Sequence, residues 1–271
     1  MSQRPTEARN PRASDLASLS TRQILELMND EDATVPGAVR RALPQIERAV
    51  EAIVASFGRG GRLRYVGAGT SGRLGVLDAS EAPPTFGVDE DIVRGLIAGG
   101  DEALRHSVEG AEDDAGSGSR DARERVRSGD VVVGISASGR ARYVIGALVM
   151  AREIGATTVA LTCDASAPLV TNADIVITLD VGPEVLAGSS RLKAGTATKL
   201  VLNMLSTAAM VRAGRTYGDL MVDLRATNTK LRERAVRMVR DATGLDEAAA
   251  RERLEANEWS VRRVLEAHRQ R

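Results

Sequence analysis

The chain has 271 residues, and its 37 Lys and Arg are matched by 37 Asp and Glu, so no global field draws in nucleic acid or a membrane surface. Apolar residues make up 43% and aromatic ones only 2%, so the core of one substantial domain must be built mainly from Ala, Val, Leu and Ile, as in helices packed on a parallel sheet. A single cysteine (Cys163) excludes an intrachain disulfide and a cysteine zinc site, two histidines (His106 and His268) argue against a histidine-rich one, and no apolar run approaches the roughly 18 residues that span a bilayer.

Residues 1–15 are polar and contain Pro5 and Pro11. They read as an extended arm, ordered only where it docks, and they hold no apolar stretch of a secretory leader. A soluble cytoplasmic protein is the expectation. Leu16–Met28 is predicted helical, started by Ser20 or Thr21, with Asn29–Asp32 as a loop. Val39, Leu43, Ile46, Val50, Ile53, Val54 and Phe57 recur at helical spacing, with Pro36 near the start and Gly58, Gly60 and Gly61 at the end. From Leu63 the pattern changes to five short apolar runs: Leu63–Val66, Ile92–Ile97, Val131–Ile135, Thr157–Leu161 and Ile175–Leu179. Most are separated by helical segments, which predicts βαβ units and a parallel sheet covered on both faces. Ligands bind beyond the carboxyl ends of such strands, so the loops after Val66, Ile97, Ile135 and Leu161 are where chemistry is expected.

The first of these loops is Gly67-Ala68-Gly69-Thr70-Ser71-Gly72-Arg73. A helix follows from Leu74 and is expected to run out at Ser80-Glu81-Ala82-Pro83-Pro84. Strand, glycine loop and helix start form a cradle for phosphate, because unpaired N–H groups and the helix dipole both favour an anion. Gly67-x-Gly69-x-x-Gly72 also has dinucleotide spacing, but the acids Asp89, Glu90 and Asp91 precede the second strand instead of following it. A P-loop is excluded, since Arg73 and Leu74 stand where lysine and a hydroxyl are needed. A plain strand-to-helix turn also accounts for the glycines.

The third strand leads into a second loop of the same kind, Ser136-Ala137-Ser138-Gly139-Arg140. Ordinary N-cap serines explain either loop alone. Two glycine–hydroxyl–arginine clusters on neighbouring strands point to a polar anionic ligand between them. Asp101–Val108 is predicted helical, with His106 as a helix residue able to meet Glu109. Glu109 and Glu112 would share a helix face, whereas Asp113 and Asp114 read as solvated acids. After the fifth strand come Val181-Gly182-Pro183-Glu184 and Gly188-Ser189-Ser190-Arg191-Leu192-Lys193-Ala194-Gly195-Thr196, then a long apolar helix through Lys199 and Met210. Arg191 and Lys193 are candidate partners for a phosphate or carboxylate. Leu220–Leu224 and Ala226–Asn228 lead into a helix through Leu231 and Val239. The tail reads as helices over Asp246–Ala256 and Ser260–Ala267 with Trp259 between them.

These stretches, with Asp78–Thr85, Leu96–Gly100, Val108–Asp113 and Leu220–Asp223, resemble the N-acetylmuramic acid 6-phosphate etherase family over nearly the whole chain. The resemblance implies the α/β sugar isomerase (SIS) fold, a flavodoxin-like three-layer sandwich around a five-stranded parallel sheet. It implies an N-terminal arm and helices over 1–52, the sugar-phosphate domain over 53–216, and a small helical region over 217–271 that is shorter than usual. It further implies a homodimer with its site near the subunit interface, and elimination of D-lactate from the sugar phosphate without metal or cofactor. By position Glu81 matches the family's proton donor and Glu112 its second catalytic glutamate, read as the base. Ser71, Ser138 and the N–H groups around Gly139 are the expected phosphate ligands. Gly69, Thr70, Gly72, Arg73, Ser136, Arg140, Ser190, Arg191 and Lys193 complete the expected substrate surface. SIS-type phosphate loops often carry a threonine three residues after the second serine. Here that place is Ala141, which leaves Arg140 or Arg142 to supply charge. Two alternatives stand beside the lyase: a non-catalytic sugar-phosphate sensor, like the glucokinase regulatory protein on the same fold, and a dinucleotide enzyme suggested by glycine spacing alone.

Overall fold

The apolar runs form one all-parallel sheet: β1 (Leu63–Gly67), β2 (Val93–Ile97), β3 (Val131–Ile135), β4 (Thr157–Thr162) and β5 (Ile175–Thr178), in the order β2-β1-β3-β4-β5. The computed structural model describes residues 5–224, 226 and 228–269. Residues 1–4 of the expected arm, and Thr227 in the expected lead-in to the next helix, lie outside that range. The helices are α1 (Thr21–Asp32), α2 (Val35–Arg41), α3 (Leu43–Gly58), α4 (Gly69–Phe86), α5 (Ala115–Arg125), α6 (Arg142–Ile154), α7 (Lys193–Arg212), α8 (Thr229–Thr243), α9 (Glu247–Ala256) and α10 (Val261–Arg269).

Two compact units make up the chain, Met1–Ala79 with Asp91–Ala209, and Ser80–Glu90 with Met210–Arg271. In the first, successive side chains of β1 point to opposite faces, as a pleated strand requires. Val66 joins Val132 against Ala122 of α5 and Val144 and Leu148 of α6. Tyr65 faces the other way and donates its hydroxyl to Asp78 Oδ2 on α4 (2.9 Å) and Leu202 O on α7 (3.5 Å). Helices therefore cover both faces, and the unit is the three-layer sandwich expected from the alternating runs. In the second, α8, α9 and α10 bury Val236, Val239, Leu254, Val261 and Leu265 around Val222 and Leu224. Arg262 grips Asp223 there, and Arg232 lies 4.9 Å from the ring centre of Trp259.

Several boundaries differ from expectation for identifiable reasons. α1 starts at the expected Ser20, whose capping box with Gln23 satisfies both backbone N–H groups. It then continues through the expected loop Asn29–Asp32, because Glu31 is held by Arg12 and Lys193. The single helix expected through Val39–Phe57 is two, α2 and α3, with Pro44 in the first turn of α3. α4 does not stop at Glu81. It carries Pro83 and Pro84 in its last turns and ends at Phe86, although each proline removes an N–H donor and crowds the carbonyl four residues back. Asp101–Val108 is no helix beyond a 3-10 turn at Asp101–Leu104. The arm docks through 3-10 turns at Pro5–Glu7 and Pro11–Ala13, and Asn10 Nδ2 donates to Pro183 O at 3.2 Å.

Candidate active site

The register levels three strand ends: Gly67 pairs with Ile97 on one side and with Ile135 on the other. Three loops therefore open at one end of the sheet. The winding direction reverses between β1 and β3, which is where open parallel sheets leave a crevice.

Only Ala68 separates β1 from α4. That close approach explains the glycines. A Cβ on Gly67 would lie 2.5 Å from Gly72 N, and one on Gly72 would lie 2.6 Å from Ile97 Cγ1 and 2.8 Å from Gly67 O. The dinucleotide spacing is thus met by packing. β2 ends at Ile97 and is followed by Ala98-Gly99-Gly100, so no acid stands at the strand's end and the next, Asp101 and Glu102, open the following 3-10 turn, while Asp91 sits before the strand and binds Arg62 and Arg64.

Beside this loop is a cleft of about 200 Å³ lined by Gly69, Arg73, His106, Ser107, Glu109 and Glu112 among others. Arg73 shapes it: Nε donates to Leu104 O (3.2 Å) and Nη2 to His106 O (3.3 Å), tying the 104–106 backbone to the first turns of α4. Arg73 was expected as a substrate ligand, and its clamping role was not legible. Glu112 stands on a 3-10 turn, Ala111–Asp113, entered through Gly110 at φ 72°. It is exposed, and its carboxylate has no hydrogen-bond or ion-pair partner among the described residues. His106, which the sequence left able to meet Glu109, has its Nε2 3.8 Å from Glu102 Oε1, four residues back. Asp114 is no idle solvated acid. It caps α5 by accepting from Ser117 N at 2.9 Å, and the Ser117 hydroxyl and N–H hold its carboxyl below the usual range. Glu81 is exposed on the part of α4 that belongs to the second unit.

The β3–α6 loop is ordered by backbone bonds. Ser136 N donates to Leu161 O, Gly139 N to Ser136 O, and Leu169 N to Gly139 O. Gly139 needs its φ of 64°, and a Cβ there would lie 2.3 Å from that of Ala167. Ser136 is buried and Ser138 half-buried, with Ser138 Oγ accepting from Arg140 N at 3.3 Å. No side chain caps α6, so its first-turn N–H groups face the loop as donors for an anion. Ala141 explains the absent hydroxyl: its methyl is buried in the cluster of Tyr143 and Val144. Arg140 is partly committed, with Nη2 on Asp164 Oδ2 (3.1 Å) and Nε buried without a partner among the described residues.

The first turn of α7 reaches the glycine loop, since a Cβ on Gly195 would lie 3.7 Å from Ser190 O and 3.8 Å from Thr70 Cγ2. Arg191 is exposed there. Lys193, expected to meet a ligand anion, is instead buried with its ammonium on Glu31 of α1.

Comparison with known proteins gives this arrangement its relatives. The profile of the glucokinase regulatory protein N-terminal SIS domain matches residues 45–152, and that of the SIS domain matches residues 113–208. N-acetylmuramic acid 6-phosphate etherase of Brucella anthropi is 56% identical over 261 residues, covering 96% of this chain and 85% of its own length. The chain belongs to the N-acetylmuramic acid 6-phosphate etherase family. Another such etherase, from Vibrio cholerae, is 58% identical over 239 residues, covering 88% of this chain and 78% of the relative. This chain shares its fold with a phosphoheptose isomerase from Neisseria gonorrhoeae, which superposes with a TM-score of 0.54 at 20% identity, over 70% of this chain and 98% of its own.

Proposed function

We propose that the chain cleaves the D-lactyl ether of N-acetylmuramic acid 6-phosphate, giving N-acetylglucosamine 6-phosphate and D-lactate. The observation that carries this is the identity of more than half of all residues with an etherase across 96% of the chain. In the open-chain aldehyde the proton on C2 is acidic. A carboxylate removes it, the C3–O bond breaks, and a carboxylic acid protonates the departing lactate oxygen. Water then adds across the C2–C3 double bond, with hydroxyl at C3 and hydrogen at C2. Two carboxyl groups suffice for these transfers. Glu112, without a partner in its cleft, is assigned the base, and Glu81 the acid. The residue assignments rest on family resemblance, and the exposure of both side chains fits groups that await a ligand.

The phosphate is assigned to the β1–α4 and β3–α6 loops, lined by Gly69, Thr70, Gly72 and Ser136: Ser71, Ser138 and the N–H groups around Gly139, of which Gly139 N and Arg140 N would exchange their bonds to Ser136 O and Ser138 Oγ for the ligand. Arg191, exposed beside Ser190, and Arg142, exposed in the first turn of α6, are the cations assigned to phosphate or lactyl carboxylate. A cytoplasmic homodimer with its site near the subunit interface completes the proposal. Among the described residues no helix is long and apolar enough to cross a membrane.

A second reading has one observation in its favour, the match of residues 45–152 to the SIS domain of a regulatory protein. It makes the chain a sugar-phosphate sensor. D-lactate release from N-acetylmuramic acid 6-phosphate, measured with EDTA present, separates the two. Release establishes the lyase. Tight binding without release establishes the sensor, and neither would leave the family's fold without its function.

A further inference from the structure

Lys193 opens α7 with its side chain 4% exposed, and its ammonium meets Glu31 Oε2 on α1. The other oxygen of Glu31 accepts from Arg12 Nη1 at 3.1 Å. Arg12 N in turn donates to Asn10 Oδ1 (2.9 Å), and Asn10 Nδ2 donates to Pro183 O (3.2 Å). The next residue, Glu184, is 2% exposed and accepts from Lys193 N and Ala194 N, both at 3.0 Å. The bonds form a closed circuit from the N-terminal arm through α1 to the start of α7 and back to the arm.

What the circuit encloses is the segment 185–192. Glu184 anchors one end, Lys193 the other, and the Glu184 carboxylate bridges them. Within the segment, Ser190 O lies by Gly195, which itself borders Thr70 of the glycine loop, and Arg191 follows it with its side chain exposed. The chemistry of the anchor is informative. A buried ion pair is poor evidence for stability, since apolar side chains of the same volume often hold a fold as well or better. What the pair adds over an apolar contact is a fixed direction, and here the fixed direction is that of the chain leading into α7.

We propose that Glu31, Lys193 and Glu184, braced by Asn10 and Arg12 of the arm, are positioning residues that hold segment 185–192 so that Ser190 and Arg191 meet the anionic groups of the substrate. They act through the segment and touch no reacting atom. The proposal rests on the etherase reading for its substrate, so its test carries a readout that does not need turnover.

The double variant Glu31→Leu/Lys193→Met replaces the ion pair by apolar groups and leaves neither of its two charges behind, while buried Glu184 keeps its bonds from the N–H groups of residues 193 and 194. Its thermal midpoint is expected to stay close to that of the parent. Its KM for N-acetylmuramic acid 6-phosphate, and its Kd for N-acetylglucosamine 6-phosphate by calorimetry, should rise about tenfold, the equivalent of one good contact, while kcat changes far less. Arg12→Ala, at a side chain 52% exposed, keeps the core intact should the double variant fail to fold. It should shift KM and Kd the same way by a smaller factor, with Arg12→Lys restoring part of the loss. Unchanged KM and Kd in folded variants would overturn the proposal. A Kd shift with no lactate released by any form, the parent included, would support the proposal and sink the etherase reading alone. No binding by the parent protein would overturn both.

Discussion

The two ends of the sheet are built on opposite plans. At the amino ends of β1 and β3 the charges bind each other. Arg62 donates through its backbone N–H, Nε and Nη2 to Asp130, which is 1% exposed, and Arg127 N donates to the same carboxylate at 2.9 Å. Arg64, fully buried, donates to Asp91 O (2.7 Å) and Asp91 Oδ1 (2.8 Å), and burial pushes its guanidinium down to about 10 although Asp91 lies beside it. At the carboxyl ends the loops are glycine-rich, α6 has no side-chain cap, and Glu112 and Arg191 are exposed. Charges at the first end are consumed in joining strands. At the second, Arg73, Arg140 and Lys193 are engaged within the fold, but Glu112 and Arg191 are left for something that binds. The same β1–β3 pair supports both, so fold and chemistry can be attacked separately.

The largest effect is expected from the closed end. Asp130→Ala strips the Arg62 guanidinium of its main acceptor and leaves the N–H groups of Arg62 and Arg127 unpaired. Breaking one side of such a pair costs about 3–5 kcal/mol, read as a fall in the urea midpoint at constant slope. Lactate release per folded molecule should be retained, because the cleft lies at the other end. A loss below about 1 kcal/mol, the range of exposed pairs, would mean that these charges do not hold the strands.

Glu112→Gln is the converse. Removing a general base lowers kcat by about 10²–10⁴-fold. Stability should move by no more than about 0.5 kcal/mol, since the side chain is exposed and bonded to nothing among the described residues. A variant that turned over normally would move the base elsewhere in the cleft, and one that unfolded would blur the division between the two ends.

How much of this could be read from the sequence differs by kind of feature. The strands were legible because a parallel strand is buried on both faces and so reads as an unbroken apolar run, as in Val131-Val132-Val133. Helix boundaries at prolines were not. Pro44 marks a break between α2 and α3, while Pro83 and Pro84 ride inside α4. Which carbonyls lose a partner decides that, and the local sequence does not say. The two loops and Glu112 were legible as a set, yet the cause of the glycine spacing, contact of Gly72 with Ile97 and Gly67, needed the fold. Arg191 and Lys193 show the limit most clearly. They are two residues apart and alike in charge, but one is exposed and the other is buried on Glu31, 162 residues away in sequence. Only the long-range partner distinguishes them. The Asp114 cap, by contrast, was visible in principle as an acid just before a helix start.

The smallest effect is in the acid dependence of the closed end. Burial works against ionisation of Asp91, but the guanidinium groups of Arg62 and Arg64 outweigh it and hold the carboxyl below the usual aspartate range. A carboxyl lowered in the folded state contributes stability that is fully present above its unfolded value, about 3.9, and is lost as the pH falls through the folded value. Asp91→Asn should therefore be less stable than the parent at neutral pH by an amount that stays constant down to about pH 5 and closes below about pH 4. The urea midpoints of the two proteins, followed from neutral pH into the acid limb, should converge. A gap that persisted at low pH would show that the shape of Asp91, and not its charge, is what Arg62 and Arg64 require. The amino end would then be held by hydrogen bonds that an amide cannot supply, and its contrast with the open carboxyl end would be one of geometry and not of charge.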